Sequence, residues 1–313
     1  MSISVLRTTD GWWVRTPDGA ARIDTAATTT AKILADRAAI EAAATANVTV
    51  PVETLDLLSP VTAPCRVVAQ MTNFVSHVKD SGMNPETVPL TFFRKSSGSI
   101  SGPYQDVVKP DHVRLLDYEV EIGLVLGRPV PVGTDITEDT IADFVAGLVV
   151  TNDVSARDVQ LPKTQFYEAK SYPTFTPVGP ALVLLDAGEF TRFGDLRLQL
   201  RVNGQVRQDR TVGSDMIYRP VQALQALTRF QRLDAGDLLL TGTPGGTALK
   251  APAKPIALLG ALLPPALKWK SFFASQAKNP NYLHDGDVME LSIATDDGGL
   301  DLGIQRTWVR STR

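Results

Sequence analysis

Cysteine is nearly absent from this chain, histidine is scarce, and no apolar run is long enough to matter to a membrane. One cysteine, Cys65, in 313 residues excludes an internal disulfide, and the three histidines are His77, His112 and His284. The apolar stretch from Val145 to Val150 is too short to span a bilayer, and that from Pro255 to Leu267 is interrupted by proline, so no membrane partner is expected. A net charge of −3 without a basic stripe, and no zinc-finger spacing, argue against nucleic acid. No Gly-x-Ser-x-Gly elbow occurs, Cys65 has no nearby histidine in sequence, and no Gly-x-Gly-x-x-Gly follows a strand. Serine hydrolase, cysteine hydrolase and dinucleotide enzyme therefore all lose ground. The first residues lack the charged, apolar and small-residue succession of a signal peptide, which together with the lone cysteine suits a reducing cytoplasm. A soluble protein acting on a small molecule is the expectation.

Carboxylates, by contrast, stand where an apolar strand should be. In Asp117-Tyr118-Glu119-Val120-Glu121-Ile122-Gly123-Leu124, the apolar residues alternate, so Glu119 and Glu121 project together from one face. An isolated Glu-x-Glu is more often a solvated sheet face. A second apolar run ending in Thr151-Asn152-Asp153, with Arg157 and Gln160 four and seven residues on, reverses that preference. If this segment is helical, one face carries Asp153, Arg157 and Gln160 together, able to meet a metal, a substrate carboxylate and a carbonyl oxygen. Parallel carboxylates inside a buried strand need a cation between them, and oxygen-only donors favour Mg²⁺ or Mn²⁺ over Zn²⁺.

Residues 1–65 read as a small unit: short strands at Ser2–Arg7, Trp12–Arg15 and Ala21–Asp24, then an alanine-rich helix from Thr30 to Ala46. Strands dominate residues 66–313, at Val67–Met71, Leu90–Arg94, Glu119–Leu126, Ala181–Leu185, Leu196–Val202, Leu238–Thr241, Val288–Ile293 and Leu302–Val309. Helices are expected at Thr137–Phe144, in part of Val154–Pro162, and at Pro220–Arg229. The fold class is mixed α/β and β-rich.

The succession Asn73-Phe74-x-x-His77-x-x-Asp80, Phe93-Arg94-Lys95, Asp117-Tyr118-Glu119-x-Glu121, Asn152-Asp153-x-x-x-Arg157-Asp158-x-Gln160, Ala169-Lys170-Ser171, Pro177-x-Gly179-Pro180, Val202-Asn203-Gly204 and Gly236-Asp237-x-x-x-Thr241-Gly242-Thr243-Pro244 resembles the fumarylacetoacetate hydrolase family in order and spacing. The resemblance covers residues 66–313. It implies a β-roll catalytic domain behind the small N-terminal domain, Mg²⁺ or Mn²⁺ held by Glu119, Glu121 and Asp153, and a homodimer. It also implies that His77, paired with Asp80, activates water, that Lys170 and Gln160 polarise a carbonyl, and that Thr243 and Lys95 contact substrate. Asp80 stands where the family has a glutamate, a side chain one methylene longer. Arg157 is expected to meet a substrate oxygen or to hold Asp153.

The implied activity is cleavage of a carbon–carbon bond in a small diketo acid, acylpyruvate- or fumarylpyruvate-like, by water attack with a metal-held enolate as leaving group. Decarboxylation, isomerisation or hydration of a 2-oxo acid or diacid on the same site is the alternative, and a non-catalytic metal-binding protein is the reading from another class. An apparent insertion at about 247–284 carries five lysines and no acid, with Lys250, Lys254, an apolar Ile256–Leu263, and Trp269, Phe272 and Phe273 on one helical face. It is expected to cap the pocket or to form a subunit contact.

Overall fold

The computed structural model describes residues 2–47, 49–251 and 264–312. Nine strands form one sheet in the spatial order Gly19–Arg22, Gly11–Thr16, Ile3–Thr8, Leu182–Leu184, Val145–Asn152, Val120–Leu126, Leu238–Leu240, Val67–Gln70 and Phe92–Lys95. A second sheet of five runs Gln205–Thr211, Leu196–Val202, Val288–Thr295, Asp301–Ser311 and Val107–Lys109. The central strand Val120–Leu126 is buried along its whole length. Its Val120, Ile122 and Leu124 pack with Leu198, Leu291 and Ile293 of the second sheet. Val125 faces the other way, toward Val149, Leu238 and Ile33 and Ile40 of the helices Thr30–Ala35 and Arg37–Ala44. The result is three layers: a helix pair, the large sheet and the small sheet. Fully burying each Val, Leu or Ile contributes about 1.5–3 kcal/mol, so these two apolar faces drive the assembly. The architecture is mixed α/β and strand-rich, as the alternation in the sequence leads one to expect.

Four departures have local causes. The alanine-rich segment is two helices rather than one: Asp36 leaves helical geometry, and its carboxylate accepts the Thr25 hydroxyl. Thr137–Phe144 holds only a 3₁₀ turn at Ile141–Asp143, preceded by a turn in which the Thr140 hydroxyl accepts the Thr137 N–H. The polar strand Gln205–Thr211 was not expected, although it leaves the Asn203-Gly204 turn, whose φ values of 51° and 76° are those of a tight hairpin. The N-terminal meander is hydrogen-bonded into the large sheet, with Val5 opposite Leu182.

In the apparent insertion, the helix Pro265–Gln276 stacks Trp269 on Phe273 at 5.6 Å between centroids, with Phe272 edge-on to both. Phe273 also packs against the main core. Lys254 and the apolar stretch 256–263 lie outside the described residues. Among the described residues no helix is long and apolar enough to cross a membrane.

Candidate active site

The sheet ladder itself brings the three predicted metal ligands together. Val120 pairs with Asn152 and Glu121 with Thr151, and the antiparallel pairing continues one residue further, where the Asp153 N–H donates to the Glu119 carbonyl at 2.9 Å. Asp153 therefore sits opposite Glu119, with Glu121 two residues along the same strand. One carboxylate oxygen from each of the three lies within 4.8 Å of the others. Relative exposures of 4%, 1% and 1% for Glu119, Glu121 and Asp153 exclude solvated glutamates on an open sheet face. The Glu121 carboxylate accepts the Gly242 N–H at 2.8 Å. Gly242 has φ +83°, and a Cβ there would meet the Asn73 Cβ at 2.8 Å, so this turn requires glycine.

Cations surround the acids. Lys170 donates to Glu119 at 2.7 Å and also to Asp153, while Lys95 donates to the other Asp153 oxygen and to the Phe175 carbonyl at 2.8 Å. Arg157 donates to Asp117 and to the Gln160 side-chain Oε1, each at 2.9 Å, and to Glu119. Burial alone would raise the Glu119 carboxyl, but Lys170 and Arg157 outweigh it and hold the group at about 2. Glu121 goes the other way: burial, then Asp153 and Glu119, push it well above the ordinary carboxylate range. Burial lowers the Lys95 ammonium despite Asp153; for Lys170 the burial penalty is overcome by Asp153 and Glu119, and its pKa is raised. Asp117, Glu119, Glu121 and Asp153 outnumber Lys95, Lys170 and Arg157, and among the described residues Glu121 is the acid of the four with no ion pair. Buried, convergent, oxygen-only and short of positive charge, this donor set fits a hard divalent cation.

Several expectations need correction. Asp153 is not on the helix with Arg157 and Gln160, because Ser155–Ala156 pairs as a short strand with Leu116–Asp117 and the helix starts only at Arg157. Arg157 does not hold Asp153; its fork clamps Glu119 and Asp117. Lys95, expected at substrate, does not line the cavity and is committed to Asp153 and Phe175. His77 and Asp80 share the helix Val75–Asp80, yet no hydrogen bond joins them: the Asp80 carboxylate accepts the Gly246 N–H at 3.0 Å, and the buried His77 Nδ1 has no partner among the described residues. Burial lowers the His77 pKa, which favours the neutral imidazole. The Thr243 hydroxyl donates to the Val120 carbonyl at 2.9 Å and accepts from Gln208 at 2.8 Å, which ties the turn to the central strand.

A cavity of about 260 Å³ gathers His77, Glu119, Glu121, Arg157, Gln160 and Lys170, with Thr243 on its wall. Asp117 escaped the sequence reading as a functional residue, although it opens the paired-acid motif. Fully buried, it accepts from the Ala248 and Leu249 N–H groups at 2.8 and 3.1 Å as well as from Arg157. Cys65 does not line this cavity, and burial pushes its thiol up to about 12, so it is no nucleophile.

The family model described as fumarylacetoacetate (FAA) hydrolase C-terminal matches residues 66–310. Among curated proteins, the chain is 33% identical over 201 residues to "oxaloacetate tautomerase Fahd2a, mitochondrial" of Rattus norvegicus and 35% identical over 201 residues to "oxaloacetate tautomerase FAHD2A, mitochondrial" of Homo sapiens. Each match takes in 64% of this chain and 62% of the relative, so the chain spans about three fifths of those proteins. A crystal structure from Mycobacterium abscessus, described as "a probable 2-hydroxyhepta-2,4-diene-1,7-dioate isomerase", superposes with TM-score 0.75 at 29% identity, covering 100% of both chains. With the family model matching from the first strand of the paired-acid domain to the last strand of the small sheet, the chain belongs to the fumarylacetoacetate hydrolase family.

Proposed function

We propose that this chain is a divalent-metal-dependent tautomerase or isomerase that moves a proton between carbon and oxygen of a small 2-oxo acid. The observation that carries the proposal is the place of His77: it lines the same cavity as Glu119 and Glu121, and its buried Nδ1 has no carboxylate or other partner among the described residues. Glu119, Glu121 and Asp153 would hold Mg²⁺ or Mn²⁺, and such an ion supplies Lewis acidity toward the carboxylate and carbonyl oxygens of a 2-oxo acid. His77 takes the proton from the carbon beside the carbonyl and returns it at oxygen, or the reverse, so no co-substrate is consumed. Lys170 and Gln160 face the oxygen on which negative charge develops. Arg157 and Asp117 hold Glu119 in place. Relatives that bear the names tautomerase and isomerase support the same reaction class.

Carbon–carbon hydrolysis of an acylpyruvate is the second reading, favoured by the same Lys170 and Gln160. It asks in addition for a base that activates water, and Asp80 is engaged by Gly246 rather than by His77. The test follows loss of enol absorbance for oxaloacetate and phenylpyruvate beside cleavage of acetylpyruvate, each with Mg²⁺ and with chelator. Metal-dependent enol loss much faster than cleavage is expected. Faster cleavage would overturn the proposal in favour of hydrolysis.

A further inference from the structure

Resting on the enolisation proposal, we infer that the substrate's arm beyond its 2-oxo acid head carries no charge. The cations lining the cavity, among the described residues, are Arg157 and Lys170. Both are committed: Arg157 to Asp117, Glu119 and Gln160, and Lys170 to Glu119 and Asp153. Lys95 adds nothing, being turned onto Asp153 and Phe175. The head's charge would be met by the divalent ion that Glu119, Glu121 and Asp153 would hold. A second carboxylate further along has no counter-charge among the described residues, and an unpaired carboxylate leaves water at a heavy cost.

Beyond the head the wall is uncharged: Met71, Met83, Phe93, Leu161, Phe166 and Leu249 make it largely apolar, and Thr72, Ser81 and Thr164 add only neutral hydroxyls. Phe93 and Phe166 stack at 5.2 Å, and the Lys170 ammonium lies 5.1 Å from the Phe93 ring centroid. An arm leaving the head at Lys170 thus runs directly onto an aromatic surface. Among the polar side chains on the wall is Gln70, 2% exposed and without a partner for either amide atom among the described residues. A carboxamide offers a donor and an acceptor but no charge, so it suits a neutral polar group and does nothing to neutralise an anion. The rat and human relatives are named for oxaloacetate, whose arm is a carboxylate; the wall described here fits a different acid.

The experiment compares 4-methyl-2-oxopentanoate, in which an isopropyl group replaces the arm carboxylate at nearly equal size, with oxaloacetate and with armless pyruvate. Binding to Mg²⁺-saturated protein is measured by calorimetry. The apolar acid is expected to bind at least roughly tenfold more tightly than oxaloacetate. Met83→Arg, at a position 45% exposed, supplies a cation at the wall and should narrow that ratio severalfold. Oxaloacetate binding as tightly as the apolar acid, or a ratio that Met83→Arg leaves unmoved, overturns the inference. Deuterium exchange at C3, read by NMR on the same samples, reports enolisation separately. A preserved preference without exchange would sink the proposed reaction and leave the uncharged arm standing, whereas failure of all three acids to bind would overturn both.

Discussion

Replacing Arg157 with methionine tests the charge arrangement at its centre. The guanidinium donates to Asp117, Glu119 and Gln160 and is 3% exposed, so the substitution strands two buried carboxylates at once. Breaking a buried pair by removing one partner costs about 3–5 kcal/mol. Unfolding entropy of about 2.1 cal/mol/K per residue, over the 313 residues here, comes to roughly 0.66 kcal/mol/K, so the melting temperature should fall by about 5–8 °C. Asp117 retains the Ala248 and Leu249 N–H groups, which favours the lower end of that range. Thermal unfolding in metal-free buffer checks it, with Arg157→Lys as the companion that keeps the charge but loses the fork and falls between the two. A melting temperature within about 1 °C of the parent would refute the reasoning, since a charge worth several kcal/mol cannot be removed without a thermal signature.

Three further outcomes follow from the same geometry. Glu119→Gln and Asp153→Asn should lose bound divalent ion by elemental analysis and lose turnover with it while far-UV circular dichroism is retained; undiminished activity in rigorously metal-free protein would contradict this. His77→Ala should keep the ion and lose about 10² to 10⁴ in turnover, whereas Asp80→Asn, which still offers an oxygen to Gly246, should leave the pH profile unaltered; a shifted profile in the Asp80 variant would reveal a working His–Asp pair. Replacing residues 250–283 with a short Gly-Ser linker should shift acid preference if the segment caps the cavity or lower the oligomer mass if it forms a contact, and no change in either would discard both roles.

The acid cage was legible in the sequence because alternation is a local property: Glu119 and Glu121 had to share a face whatever the rest of the chain did. Asp153 was legible as the third acid of the cluster but not as to how it arrives. Helical spacing suggested a shared face with Arg157, whereas the pairing of Ser155–Ala156 with Leu116–Asp117 delays the helix and delivers Asp153 through the ladder instead. Lys95 and Asp117 could not be assigned from spacing, since their partners stand 58 and 40 residues away. The Asp80 partner was misjudged for a related reason: three residues of helix place His77 and Asp80 near one another, but a backbone N–H from the distant Gly246 turn captures the carboxylate. Gln205–Thr211 hid because its side chains are largely exposed and polar, leaving its hairpin turn as the signal to follow.

The pairing of Ile3–Thr8 with Leu182–Leu184 makes the first sixty-odd residues a shield as much as an appendage. The family match begins at residue 66, which invites trimming the chain to that boundary. Such a trimmed protein would bare the main-chain donors and acceptors of Leu182–Leu184, on an apolar strand adjoining the one that leads to Asp153. An uncovered strand of that composition recruits other chains edge to edge. The meander therefore covers the edge of the sheet that carries the acids, where a neighbouring chain would otherwise add a strand.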